Sequence, residues 1–187
     1  MNLPNAITLS RLAVCIAVFL CFEWIADPAH ADPTLAWTGF WLFLLAACTD
    51  FLDGYFARKY GQVTALGRVI DPFADKVLVV GALVVLLRFP AATAIMPNWY
   101  VIVVVAREFL VTAVRGLVEA AGRPFPADQL GKWKMVSQVW TAGALMMIVA
   151  GDTFWTWAAV GGLWVSLALT VVSGVNYVWK ARDVLFR

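Results

Sequence analysis

Six apolar runs constrain this chain before any other feature does. They cover residues 12–25, 35–53, 71–87, 98–118, 132–150 and 154–178, and several approach the ~20 residues a helix needs to cross a bilayer. Of 187 residues, 63% are hydrophobic and 14% charged, with a mean hydropathy of +0.82. A soluble domain carries about 25% charged residues and does not string together runs of this length. The sequence therefore predicts an all-α integral membrane protein, with six transmembrane helices in a single domain, residues 1–187. Ahead of the first run, Asn5, Thr8 and Arg11 recur at three-residue steps beside Leu3, Ile7 and Leu12. That stripe predicts a short N-terminal interfacial helix. Arg11 and the small residues Ala29-His30-Ala31 also fit a cleavable secretory signal. The polar stripe and the placement of basic residues fit a retained span better.

With six spans, both termini share one side. Thirteen of the fourteen Lys and Arg residues then lie on or toward that side, and only Arg88 lies toward the other. This bias places the basic side in the cytoplasm, so the expected location is the inner (cytoplasmic) membrane, multi-pass. Trp24, Trp37, Trp41, Trp99, Trp155 and Trp157 fall near the opposite ends of the helices and predict an outer interfacial belt. Trp140 and Trp164 lie deeper and are read as packing. The three cysteines, Cys15, Cys21 and Cys48, sit in apolar runs without metal-ligand spacing and are read as packing too. His30, alone in a polar loop, is read as solvated. Nothing calls for a nucleic-acid partner.

Against this apolar background, residues 50–75 stand out. Asp50 and Asp53 are three apart, and Asp71 and Asp75 are four apart. On helices each pair shares a face. Two such helices joined by a short turn can bring four carboxylates together, and four like charges need cations to offset them. Oxygen-only ligands favour a hard ion such as Mg²⁺. Two ions bridged by shared carboxylates suit phosphoryl chemistry. Gly54, Ala57 and Gly67 leave room for a phosphate or nucleotide near the backbone, although small residues also serve helix packing. Arg58 offers a guanidinium fork to a diphosphate, or simply a cytoplasmic positive charge. Pro72 fits the first turn of a helix starting near Asp71, or kinks one that starts at Thr64 or Gly67.

The pattern Asp50-x2-Asp53-Gly54-x2-Ala57-Arg58-x8-Gly67-x3-Asp71-x3-Asp75 resembles, without departure, the signature of the CDP-alcohol phosphatidyltransferase family. The resemblance implies a six-helix membrane fold, a homodimer, and a site with two Mg²⁺ ions (Mn²⁺ as a substitute) open to the cytoplasm. It implies transfer of the phosphatidyl group of a CDP-linked lipid, CDP-diacylglycerol, to an alcohol with release of CMP. By the same resemblance Asp50, Asp53 and Asp71 hold one ion, and Asp50, Asp71 and Asp75 the other. Asp75 is the general base. Asp53, Gly54, Ala57, Arg58 and Gly67, with Asn5 and Thr8, bind the CDP-lipid.

The acceptor is read from elsewhere. Helix four carries Arg107, Glu108, Thr112, Arg115 and Glu119, and helix five opens with Lys132-Trp133-Lys134. Arg107, Arg115, Lys132 and Lys134 would suit a phosphorylated acceptor; the plainer reading has the lysines as cytoplasmic charges and Glu108 pairing with Arg115. Pro4-Asn5-x2-Thr8-x2-Arg11, Arg107-Glu108-x6-Arg115 and Gly131-Lys132-Trp133-Lys134 with Gln138 resemble the branch of the family whose acceptor is sn-glycerol 3-phosphate. Met135 stands where many relatives of that branch have Thr. Other acceptors within the family, namely a second phosphatidylglycerol, serine or inositol phosphate, are the nearest alternatives. A cation transporter is the alternative outside it, but its carboxylates belong near the midplane at a repeat interface. Gly161, Gly162, Ser166, Ser173 and Gly174 allow close packing of helix six, within or between subunits.

Overall fold

The computed structural model describes the backbone of residues 3–60, 65–123, 125 and 128–185, and the side chains of residues 10–49, 73–123, 125 and 128–185. The chain order is α1 (Leu3–Glu23), α2 (Pro33–Tyr60), α3 (Ala65–Leu86), the one-turn α4 (Pro90–Thr93), α5 (Asn98–Ala120), α6 (Gln129–Val149), a 3-10 turn (Thr153–Trp155) and α7 (Thr156–Leu185). The six long helices have 21 to 30 residues each. At 1.5 Å per residue they reach about 32–45 Å. By length and apolar composition together, one stretch among the described residues, Thr153–Leu185, suffices to cross a membrane; Pro33–Thr49 is apolar but shorter.

Two groups of helices make the body. α1 lies against α2 and α3, α7 lies against α5 and α6, and α2 and α3 meet α6 where the groups join. Glycines set how closely α1 approaches. A Cβ on Gly39 would stand 2.5 Å from the Phe22 ring, and one on Gly81 2.2 Å from the Phe19 ring. Phe22 in turn meets Phe89 edge to face at 5.8 Å. Such small-residue crossings are the usual means of bringing helices together where no water is present to drive association. On α7, Gly162 admits Thr141 and Trp140 of α6, and Gly174 admits the stem of Arg107, so both act within the chain.

The core is apolar, as in a soluble bundle, but polar side chains are buried within it and large apolar ones cover much of the surface. Arg11, Arg107, Lys134, Gln138, Thr141, Ser166, Thr170 and Ser173 are buried, while Ile102, Phe109, Leu117, Trp133, Val175 and Trp179 are exposed. An exposed apolar surface of this kind marks a membrane or partner surface. Trp24, Trp41, Trp99 and Trp157 are exposed in keeping with a belt. Trp140 and Trp164, expected to pack inside, are also exposed, at 52% and 59%. Depth in the sequence did not define which way each ring turns.

The expected separate N-terminal helix is absent. α1 runs unbroken from Leu3 to Glu23, because Pro4 sits in its first turn, where proline is tolerated, and no breaker follows. α3 begins at Ala65, so Pro72 stands inside the helix rather than at its start. At the other end of the molecule, Arg88 Nη1 donates to the Glu23 carbonyl at 2.9 Å and pairs with the Glu23 carboxylate at 3.0 Å, closing the C-terminus of α1. His30 is exposed as expected, with Asp27 at 2.9 Å. α5 and α6 both end on a glycine with positive φ, Gly122 and Gly151. Each is followed by an N–H that reaches back five residues, Arg123 to Val118 and Asp152 to Met147.

Candidate active site

The site has two parts. The first lies where α1 crosses α3. Asp50 and Asp53 are positions of α2, and Asp71 and Asp75 of α3, so both acidic pairs have the helical spacing that puts each on one face. Asp75 is the one whose side chain is described. Asn5, Thr8, Asp50, Asp53, Gly54, Ala57, Arg58, Gly67 and Asp71 lie outside the residues with described side chains. Asp75 is half-buried, and its Oδ1 faces Nη1 of the buried Arg11 at 3.5 Å. Arg11 was legible as the last member of the Asn5/Thr8 stripe, but its pairing with Asp75, 64 residues away, was not.

The second part is a cluster on α5, α6 and α7. Glu108 Oε1 accepts from Arg107 Nη1 at 3.0 Å and from Lys134 Nζ. Arg107 Nη2 donates to Ser173 Oγ at 3.0 Å, and its guanidinium lies over the Tyr177 ring at 5.6 Å. Arg115 Nη2 donates to the Tyr177 hydroxyl at 3.5 Å. From α3, Lys76 Nζ donates to Thr112 Oγ1, which ties the residue after Asp75 to the middle of α5. Glu108 therefore pairs with Arg107 and Lys134, not with Arg115 as the plainer sequence reading had it. Arg107, Arg115 and Lys134 come together. Lys132 does not join them: it is exposed and makes no hydrogen bond or ion pair among the described residues. It stands two positions from Lys134, and residues two apart do not share a helix face.

Arg107 and Lys134 both hold Glu108, while Lys76 and Arg115 reach its neighbours Thr112 and Tyr177, so among the described residues the cluster carries four cations and one carboxylate. The Nε–H groups of Arg107 and Arg115 are buried without a partner. Buried charge and unpaired donors of this kind are costly unless an anion completes them.

Residues that sequence reasoning missed form a ladder on α7. Ser166 bonds Tyr100 at 2.6 Å, Thr170 bonds Gln138 at 3.0 Å, Ser173 bonds Arg107, and Tyr177 bonds Arg115. Positions 166, 170, 173 and 177 fall on one helical face. That spacing was the available signal, but small hydroxyl residues in an apolar run read equally as packing.

Residues 1–172 match the CDP-alcohol phosphatidyltransferase family. The chain belongs to that family of membrane enzymes. It is 38% identical to a CDP-diacylglycerol--glycerol-3-phosphate 3-phosphatidyltransferase of Bacillus subtilis (strain 168), over 98% of this chain and 97% of that protein. A protein of the same name from Rickettsia bellii is 34% identical, with 94% of this chain and 93% of that protein covered. A Mycobacterium tuberculosis (strain ATCC 25618 / H37Rv) protein named "Probable phosphatidylglycerophosphate synthase" is 36% identical, covering 98% and 83%.

Proposed function

We propose that this chain transfers the phosphatidyl group of CDP-diacylglycerol to sn-glycerol 3-phosphate, giving phosphatidylglycerophosphate and CMP. The names of its near full-length relatives support the reaction. The observation that carries the acceptor is the excess of buried positive charge around Glu108. A doubly charged phosphate offsets most of it, whereas serine or another acceptor without a phosphate would leave those cations uncompensated.

The chemistry is an exchange at the lipid-side phosphorus. A hydroxyl of the acceptor attacks, its proton passes to the Asp75 carboxylate, and the phosphorus–oxygen bond to CMP breaks with its electron pair leaving on CMP. Arg107, Arg115 and Lys134 hold the acceptor phosphate so that its hydroxyl points toward Asp75. Lys132 is set aside from this pocket. Arg11 fixes the Asp75 carboxylate. Asn5, Thr8, Asp53, Gly54, Ala57, Arg58 and Gly67 receive the CDP-lipid. The all-oxygen donor set of Asp50, Asp53, Asp71 and Asp75 suits two Mg²⁺ ions, with Mn²⁺ as a substitute. Bound there, the ions would stabilise charge on the leaving diphosphate oxygen. We read the whole chain, 1–187, as one domain of six spans in the inner membrane, with both termini and the site on the cytoplasmic side, acting as a homodimer.

The test is an assay of purified enzyme with labelled CDP-diacylglycerol, Mg²⁺ and each acceptor in turn. CMP release and lipid product are expected with sn-glycerol 3-phosphate and not with serine, inositol phosphate or phosphatidylglycerol. Activity with serine alone would overturn the acceptor. Arg115→Ala should raise the KM for glycerol 3-phosphate more than tenfold (about 1.4 kcal/mol or more) while leaving that for CDP-diacylglycerol in place. An unchanged acceptor KM would move the pocket elsewhere.

A further inference from the structure

Tyr177 is buried on α7 among groups that have no reason to meet except through it. Its hydroxyl accepts from Arg115 Nη2 at 3.5 Å and from the backbone N–H of Asp128 at 3.0 Å. Its ring carries the Arg107 guanidinium at 5.6 Å and meets Phe125 edge to face at 5.5 Å. One side chain thus touches both arginines of the cationic cluster and the connection between α5 and α6. The residues on either side of it on α7 hold the same connection: Asn176 and Lys180 both donate to the Asp128 carboxylate, Lys180 at 3.0 Å.

An arginine has several rotatable bonds, so a pocket built from two of them loses ordering entropy each time it captures an anion. Fixing both guanidinium groups in advance removes that cost. A tyrosine does this from both sides at once. Its face attracts one cation, and its hydroxyl oxygen accepts a hydrogen bond from the other. We propose that Tyr177 is a positioning residue for the acceptor: it holds Arg107 and Arg115 ready for the phosphate and couples their placement to Phe125 and Asp128 between α5 and α6. This inference rests on the acceptor reading above. It assigns Tyr177 no contact with the reacting atoms, so its effect should fall on acceptor binding and be transmitted through Arg115.

The test is a double-mutant cycle on the full-length enzyme in lipid vesicles. Tyr177→Phe keeps the ring under Arg107 and removes the oxygen. It should raise the KM for glycerol 3-phosphate about tenfold, the effect of losing one hydrogen bond to a charged group. The kcat and the KM for CDP-diacylglycerol should stay within about twofold of wild type, the spread of a substitution away from the chemistry. Tyr177→Leu, which also removes the ring face, should raise the acceptor KM further. In an Arg115→Ala background the Tyr177→Phe penalty should shrink to about twofold or less, because coupled residues are not additive. Full additivity, an unchanged acceptor KM, or a loss confined to kcat would each overturn the proposal. The two readings fail differently. If Arg115→Ala alone leaves the acceptor KM unchanged, the pocket itself is misplaced; if Arg115→Ala behaves as expected and the Tyr177→Phe penalty is additive to it, only the role of Tyr177 falls. The thermal midpoint of Tyr177→Phe, measured alongside, should fall by a few degrees at most, because the Asp128 N–H also loses its acceptor.

Discussion

In the proposed reaction Asp75 is the single side chain that carries the most chemistry. It is half-buried, faces a buried guanidinium at 3.5 Å, and is followed by Lys76, which reaches across to α5. A positioned general base contributes about 10²–10⁴-fold, and Asn keeps the shape of Asp while removing the basic oxygen. Asp75→Asn should therefore lower kcat for CMP release at least a hundredfold, about 2.7 kcal/mol or more. Near-normal turnover would remove the base from this position. The carboxylate spacing was fully legible in the sequence, because four acidic residues in an apolar chain admit few explanations. Arg11 was legible as a polar stripe but not as the partner of Asp75, since periodicity fixes a face and says nothing of what that face meets. Tyr177 was not legible at all: an aromatic in an apolar run carries no mark of the two arginines it touches.

The elements show the same division between what is local and what is not. Helix existence followed from the apolar runs, and the six long helices fall where those runs lie. The start of α3 did not, because proline is acceptable in a first turn and tolerated inside a buried helix, and only packing decides between them. Trp140 and Trp164 failed for a related reason: the polar stripes of α6 and α7 pack against each other, and only packing shows that these rings point away from them. The α5–α6 connection is held to α7 by Asp128, whose carboxyl lies below the usual carboxylate range because it accepts a hydrogen bond from Lys180. A depressed folded pKa means a stabilisation fully present above the unfolded value of about 3.9 and lost as pH falls through the folded value. Asp128→Asn should accordingly lower the thermal midpoint at neutral pH, and the gap to wild type should close below about pH 4. A gap that persists in acid would mean that Asp128 acts through its shape rather than its charge.

For the whole molecule, the apolar surface ties fold to function. Large apolar side chains cover the outside while Arg11, Arg107 and Lys134 are buried, so the lipid substrate can remain in the bilayer while its headgroup reaches a charged interior. Such a site is useful only if it opens where soluble glycerol phosphate is found, which makes orientation part of the mechanism. His30 lies in the exposed loop between α1 and α2, and Lys132 on the exposed side of the first turn of α6. These two places belong to opposite ends of the helices, and under the six-span reading thirteen of fourteen basic residues fall toward the Lys132 end. Replacing Cys15, Cys21 and Cys48 and then introducing His30→Cys or Lys132→Cys separately gives two reporters away from the proposed pocket. In intact spheroplasts a membrane-impermeant maleimide should label the His30→Cys protein and spare the Lys132→Cys protein, and inverted vesicles should reverse the pattern. Labelling of both from one side would break the six-span reading. The reverse pattern would keep the spans but put the carboxylates on the far side of the membrane, away from cytoplasmic acceptor. The orientation argument stands on the basic residues because a chain that exports polar loops resists carrying cations with them.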